Sequence, residues 1–115
     1  MKLLFPTVVV QSVSASILSD YKLLNLTNLQ FKKVLDKCLN LYYYIYTKNM
    51  KLDNTNFYVN INKNRLEKVC STIKIKNTRL YYTNFINILK RANVIKINDK
   101  YSPENYSKSY TISKK

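Results

Sequence analysis

The spacing of apolar positions changes several times along the chain, and each change marks an element. From Asn28 onward Phe31, Val34, Leu35, Cys38, Leu41, Tyr42 and Ile45 recur at intervals of three and four, which draws one stripe on a helix reaching about Thr47. Lys33, Asp36, Lys37, Asn40 and Tyr44 fall opposite. Residues 48–56 read as a polar loop, and residues 57–61 read as a short strand on β-branched and aromatic content. Asn62 suits the N-cap of a second, short helix marked by Leu66, Val69, Cys70 and Ile73, because its side-chain oxygen can accept a free first-turn N–H. Lys74-Ile75-Lys76 then reads as a turn, with Asn77 or Thr78 capping a third helix to about Arg91. Asn93 stands where a left-handed residue closes a helix, a place usually held by Gly. Residues 94–98 and 108–113 alternate with period two and pair as an antiparallel hairpin around a loop.

The first 27 residues lack this regularity. Met1-Lys2 followed by an apolar run and Val13-Ser14-Ala15 has the outline of a signal peptide, but the run is brief, Pro6 interrupts it, and the Lys-rich remainder has no disulfide framework. Residues 1–27 are therefore expected to form an arm, extended or partly ordered, that packs on the domain or a partner, with the domain itself at 28–115. No stretch approaches the roughly 20 apolar residues of a membrane span, so no membrane association is expected.

Composition restricts the chemistry. A chain of 115 residues supports one modest core. It contains no Gly, which removes phosphate-cradling loops, and no His, which removes the commonest general base and metal ligand. Its six acids, Asp20, Asp36, Asp53, Glu67, Asp99 and Glu104, show no paired spacing for acid and base work or for a two-metal site. Neither catalysis nor a cofactor nor a metal is expected. Cys38 and Cys70 each sit in an apolar helical pattern, as buried free thiols of a reducing cytoplasm do.

Charge points to a partner. Lys and Arg number 20 against those 6 acids, a formal net charge of +14. Seventeen of the cations are Lys, beside 15 Asn and 11 Tyr, and an AT-rich coding bias would produce that composition without any function. Bias spreads charge evenly, whereas here residues 1–61 carry +4 and residues 62–115 carry +10. A polyanion is the expected ligand.

The third helix concentrates the signal. At 100° per residue, Tyr81, Tyr82, Phe85, Ile86, Ile88, Leu89 and Ala92 share one arc. The other arc gathers Lys76, Arg79, Thr83, Asn84, Asn87, Lys90 and Arg91, without an acid and with Leu80 as the one apolar intruder. In a major groove Arg donates to guanine, Asn pairs with adenine and Thr meets the thymine methyl. Arg79, Thr83, Asn84 and Asn87 are the candidate base readers, and Lys76, Lys90 and Arg91 the candidate phosphate contacts.

The order helix, strand, Asn-capped helix, helix and terminal hairpin resembles the winged helix-turn-helix, an α+β fold of three helices and a small antiparallel sheet. Tyr82, Ile86, Leu89, Val94-Ile95, Tyr101 and residues 107–112 are similar to domains of phage and plasmid replication-initiation and replisome-organising proteins. The resemblance implies double-stranded DNA as partner, a role in replication or transcription control, and a wing in which Lys100 and Lys108 meet phosphates and Tyr106 lies beside a sugar or in the minor groove. Where such domains carry Gly, this sequence has Asn93 and, at the wing, Pro103-Glu104-Asn105. The same fold also serves as a protein-contact module, and Tyr43 and Tyr44, on the polar side of the first helix, could with the amino-terminal arm anchor a homodimer or another viral or replication protein. RNA binding through Tyr stacking is the third reading. The expected location is the host cytoplasm or nucleoid, or a virion.

Overall fold

The computed structural model describes residues 6–51, 59–98 and 107–112, and side chains over 6–48, 61–97 and 110–112. Four α-helices, one 3-10 turn and five short strands occur among them. The helices are α1 (Thr7–Leu18), α2 (Asn28–Lys51), α3 (Lys63–Val69) and α4 (Tyr82–Arg91). The strands are β1 (Val59–Asn62), β2 (Ile73–Ile75), β3 (Thr78–Leu80), β4 (Ile95–Asn98) and β5 (Ser107–Ile112).

Helix α2 is the axis of the molecule, packed by α1, α3, α4 and the strands β1 and β5. Its start is fixed by a reciprocal cap: the Gln30 N–H donates to the Thr27 hydroxyl at 3.1 Å, and the Thr27 N–H donates to the Gln30 side chain at 3.0 Å. Val34, Cys38, Leu41, Tyr42 and Ile45 form its buried stripe, as the spacing predicts. Tyr42 also stacks on Tyr46, with centroids 6.3 Å apart.

Of the arm expected over residues 1–27, extended or partly ordered, Thr7–Leu18 is a helix. Three consecutive Val disfavour helix locally, but Val9, Val13 and Ile17 lie one turn apart and all enter the common core, and tertiary burial outweighs propensity. The Pro6 carbonyl begins the helix by accepting from Val9 and Val10 at 3.0 and 3.2 Å. Ser16 faces inward and donates its hydroxyl to the Ile88 carbonyl of α4 at 2.8 Å. The core is therefore continuous from α1 to β5. Residues 1–5 lie outside the described residues.

A second difference concerns residues 73–80. The second helix stops at Val69, and the expected turn and first turn of the third helix are instead an antiparallel β2–β3 hairpin, with Ile73 opposite Leu80, Lys74 opposite Arg79 and Ile75 opposite Thr78. The cause is burial with period two: Ile75 and Leu80 are in the core, and Leu80, the intruder on the helical wheel, is the residue that reveals it. The two-residue loop begins at Lys76 with φ 56°, a conformation that the first loop position of such hairpins normally gives to Gly. Helix α4 then starts at Tyr82, where the Asn84 side chain reaches back to accept the Tyr81 N–H at 2.8 Å.

The remaining elements follow the pattern read from the sequence. Asn62 caps α3, its side chain accepting from the Asn64 N–H at 2.7 Å. Asn93 closes α4 with φ 59°. The Asn93 N–H bonds to the Lys90 carbonyl and the Val94 N–H to the Leu89 carbonyl, the paired arrangement of a Schellman cap. Strands β4 and β5 pair antiparallel, and β1 joins the other side of β5, giving the order β1-β5-β4. Tyr110, on the central strand, is buried against this core, and burial together with the neighbouring Tyr82 pushes its hydroxyl up to about 12. No helix among the described residues is long and apolar enough to cross a membrane.

Candidate nucleic-acid interface

Helix α4 divides cleanly between inside and outside. Phe85, Ile86, Ile88 and Leu89 are buried, held by α1 and α2 behind them, while Thr83, Asn87, Lys90 and Arg91 are exposed. Thr83, Asn87 and Lys90 are spaced four and three apart, so they stand in one row along the outer surface. No acid occurs between Lys68 and Asn98. Tyr82, half-buried at the inner edge, has its pKa raised by burial and then by Glu67, so the phenol adds no negative charge here at neutral pH.

The predicted contact residues are distributed over more than one element. Thr83, Asn87, Lys90 and Arg91 lie outward on α4. Asn84 is on α4 but is half-buried, and its carbonyl oxygen already accepts the hydrogen bond that caps the helix. Lys76 and Arg79 are not on the helix. Arg79 is exposed on β3, and Lys76 occupies the hairpin loop, where its ammonium donates to the Leu24 carbonyl at 2.6 Å. Arg91 is likewise engaged by the amino-terminal segment, its guanidinium meeting the Asp20 carboxylate at 2.9 Å. The other Asp20 oxygen caps the 3-10 turn Tyr21–Leu23 by accepting the Lys22 N–H at 3.0 Å. Two cations expected to meet phosphates thus hold down the chain between α1 and α2.

Lys100 and Tyr106 lie outside the described residues, as does the side chain of Lys108. The backbone of Lys108 is paired with Ile61 in the β1–β5 ladder. The expected wing tip around Pro103 and Glu104 is also outside them.

Lys74 is a further exposed cation that helical periodicity does not single out. It is exposed on β2, directly across from Arg79, so the two cations project from one face of the hairpin while Ile75 and Leu80 fill the other side. The alternation of Ile73, Lys74 and Ile75 was the available signal. A single residue, Tyr81, separates this hairpin from α4. Exposed basic and polar residues are therefore carried by the hairpin as well as the helix: Lys74 and Arg79 on the hairpin, and Thr83, Asn87 and Lys90 on α4.

The tyrosines of α2 divide as well. Tyr43 is exposed, whereas Tyr44 is half-buried with the Lys48 ammonium 5.4 Å from its ring centroid. Larger apolar exposure occurs where α1 passes into α2, at Leu18, Tyr21, Leu24 and Leu29.

Comparison with protein-family models, with curated proteins and with solved structures finds no match to this chain.

Proposed function

We propose that this chain is a non-enzymatic DNA-binding domain of the winged-helix kind, acting in a reducing compartment in replication or transcription control. One observation carries the reading: α4 is anchored by four buried apolar side chains and presents Thr83, Asn87 and Lys90 in a row, on a stretch of chain without acids. In this reading α4 enters the major groove, Asn87 and Thr83 meet base edges, and Lys90 meets the phosphate backbone. Lys100, Tyr106 and Lys108 belong to the accompanying wing. The order α2, β1, α3, α4 and the β4–β5 pair supports the assignment, and Cys38 and Cys70, both free and buried, suit a reducing environment.

Binding through phosphates releases counterions, so log affinity for a duplex should fall linearly with log salt by about 0.9 per neutralised phosphate. Fluorescence anisotropy with a labelled duplex at several salt concentrations tests this. About six to eight contacts predict a loss of roughly 10³ or more between low and moderate salt. Salt-insensitive binding, or none at low salt, would refute the proposal.

The exposed Leu18, Tyr21, Leu24 and Leu29 favour a second reading, in which the domain docks on another protein through the α1–α2 junction. Association that persists at high salt and is lost on Leu18→Asp with Leu24→Asp would support it.

A further inference from the structure

The β2–β3 hairpin sets two cations side by side, with no acid to neutralise them among the described residues. Directly opposed residues on antiparallel strands bring their Cβ atoms within about 4.5–5.5 Å, and like charges so placed destabilise the pairing. Lys74 and Arg79 are opposed in this way, both are exposed, and among the described residues neither has a hydrogen-bond or ion-pair partner. The loop that makes this register holds Lys76 at φ 56° in a chain without Gly, whereas the other two left-handed positions, Asn25 and Asn93, carry the residue type that tolerates it best. Two local features thus oppose the hairpin; the Lys76–Leu24 hydrogen bond accounts for a Lys in the loop, but no contact among the described residues accounts for the cation pair. An anion seated between the two side chains would reverse the first.

Position makes the anion specific. The hairpin ends one residue before α4, and β3 packs against that helix. Arg79 offers a planar fork suited to two oxygens of one phosphate, and Lys74 adds a point charge from the neighbouring strand. Helix α4 supplies the row of Thr83, Asn87 and Lys90 beyond it.

Building on the DNA-binding reading above, we propose that the cross-strand pair Lys74 and Arg79 clamps a backbone phosphate of duplex DNA next to the groove that α4 enters. The hairpin is a sequence-independent anchor that sets the register of the helix. Arg79 then acts on phosphate rather than on a base edge.

The test compares the full chain with the double variant Lys74→Thr, Arg79→Thr, which places a strand-favouring β-branched residue at each position. Anisotropy titrations use a set of 20-base-pair duplexes of different sequence at several salt concentrations. The variant should bind all duplexes about tenfold or more weaker, since charged hydrogen bonds are lost, and its log–log salt slope should be shallower by about 1, the contribution of one phosphate. Its thermal midpoint should equal or exceed that of the parent, because the like-charge pair is gone, so weaker binding would not be a folding defect. Unchanged affinity and slope in a variant whose parent binds duplex would overturn the hairpin clamp and leave the DNA-binding reading standing. A loss confined to particular sequences would also overturn it, by making Arg79 a base reader. Absence of duplex binding by the parent chain would overturn both.

Discussion

Ser16 and Ile88, seventy-two positions apart, are joined by a buried hydrogen bond in which the Ser16 hydroxyl donates to the Ile88 carbonyl at 2.8 Å. The contact ties the first helix to the inner side of α4. It makes the amino-terminal segment part of the scaffold that holds the outward row of α4 in place, together with Val13 and Ile17, which have no exposed surface.

Ile17→Ala should therefore destabilise the fold by about 2–4 kcal/mol, the usual range for removing a buried aliphatic side chain. Ser16→Ala should be milder, about 1 kcal/mol, because the Ile88 carbonyl keeps the Ala92 N–H as a donor. Urea unfolding with a common slope measures both. An Ile17→Ala effect below half a kcal/mol would mean that α1 does not pack as described.

The left-handed positions give a paired prediction. Asn93→Ala should cost about 1 kcal/mol, because the Schellman cap needs φ near 59°, while Asn93→Gly should be close to neutral. Lys76→Gly should change stability by less than about 1 kcal/mol, because relief of φ 56° is offset by loss of the exposed ammonium–Leu24 carbonyl bond. Thermal melts of the three variants settle the order.

Asp20→Asn separates stability from binding. The Asp20–Arg91 pair lies partly in solvent, with side-chain exposures of 14% and 45%, so its loss should lower stability by less than about 1 kcal/mol. The same change frees Arg91 and removes a negative charge beside α4. Duplex affinity should rise, most visibly at low salt, and an unchanged affinity would show that Arg91 lies away from the phosphates.

Alkaline pH should weaken the fold. Burial raises the thiols of both cysteines from 9.0, Cys70 to about 12, and raises the Tyr110 hydroxyl from 10.0 to about 12. Above about pH 9 the unfolded chain loses protons that the native chain keeps, so these groups stabilise fully below pH 9 and progressively less from there to about 12. Unfolding free energy measured from pH 7 to 11 should be level at first and then fall. Native Cys38 and Cys70 should also react with a thiol reagent far more slowly than the unfolded chain.

Much of this architecture was legible in the sequence where one period ran long enough. The stripe of α2, the Asn62 cap, the Asn93 closure and the β4–β5 pairing each rest on local spacing or on a residue with one good conformational use. The failures arose where local preference and burial disagree. Three Val after Pro6 mask a helix whose evidence, Val9, Val13 and Ile17, is long-range packing. At residues 73–80 the strands are three residues each, too short for alternation to outweigh the helical pattern that follows, and Leu80 alone marked the break. For the candidate site, the outward positions of Thr83, Asn87, Lys90 and Arg91 followed from the wheel. The pairing of Lys74 with Arg79, the cap made by Asn84 and the engagement of Arg91 by Asp20 depend on contacts across elements, which periodicity does not encode.

If α4 reads bases through its outer row, Asn87 is the residue whose loss should show it. A selection from randomised duplex DNA defines the preferred sequence, and the parent chain is compared with Asn87→Ala and Lys90→Ala on that sequence and on single-base changes of it. Asn87→Ala should lose discrimination at one position by about 1–3 kcal/mol, centred on an adenine, while Lys90→Ala should weaken all sequences alike. If Asn87→Ala binds every duplex as the parent does, with base preference intact, α4 is not the reading element.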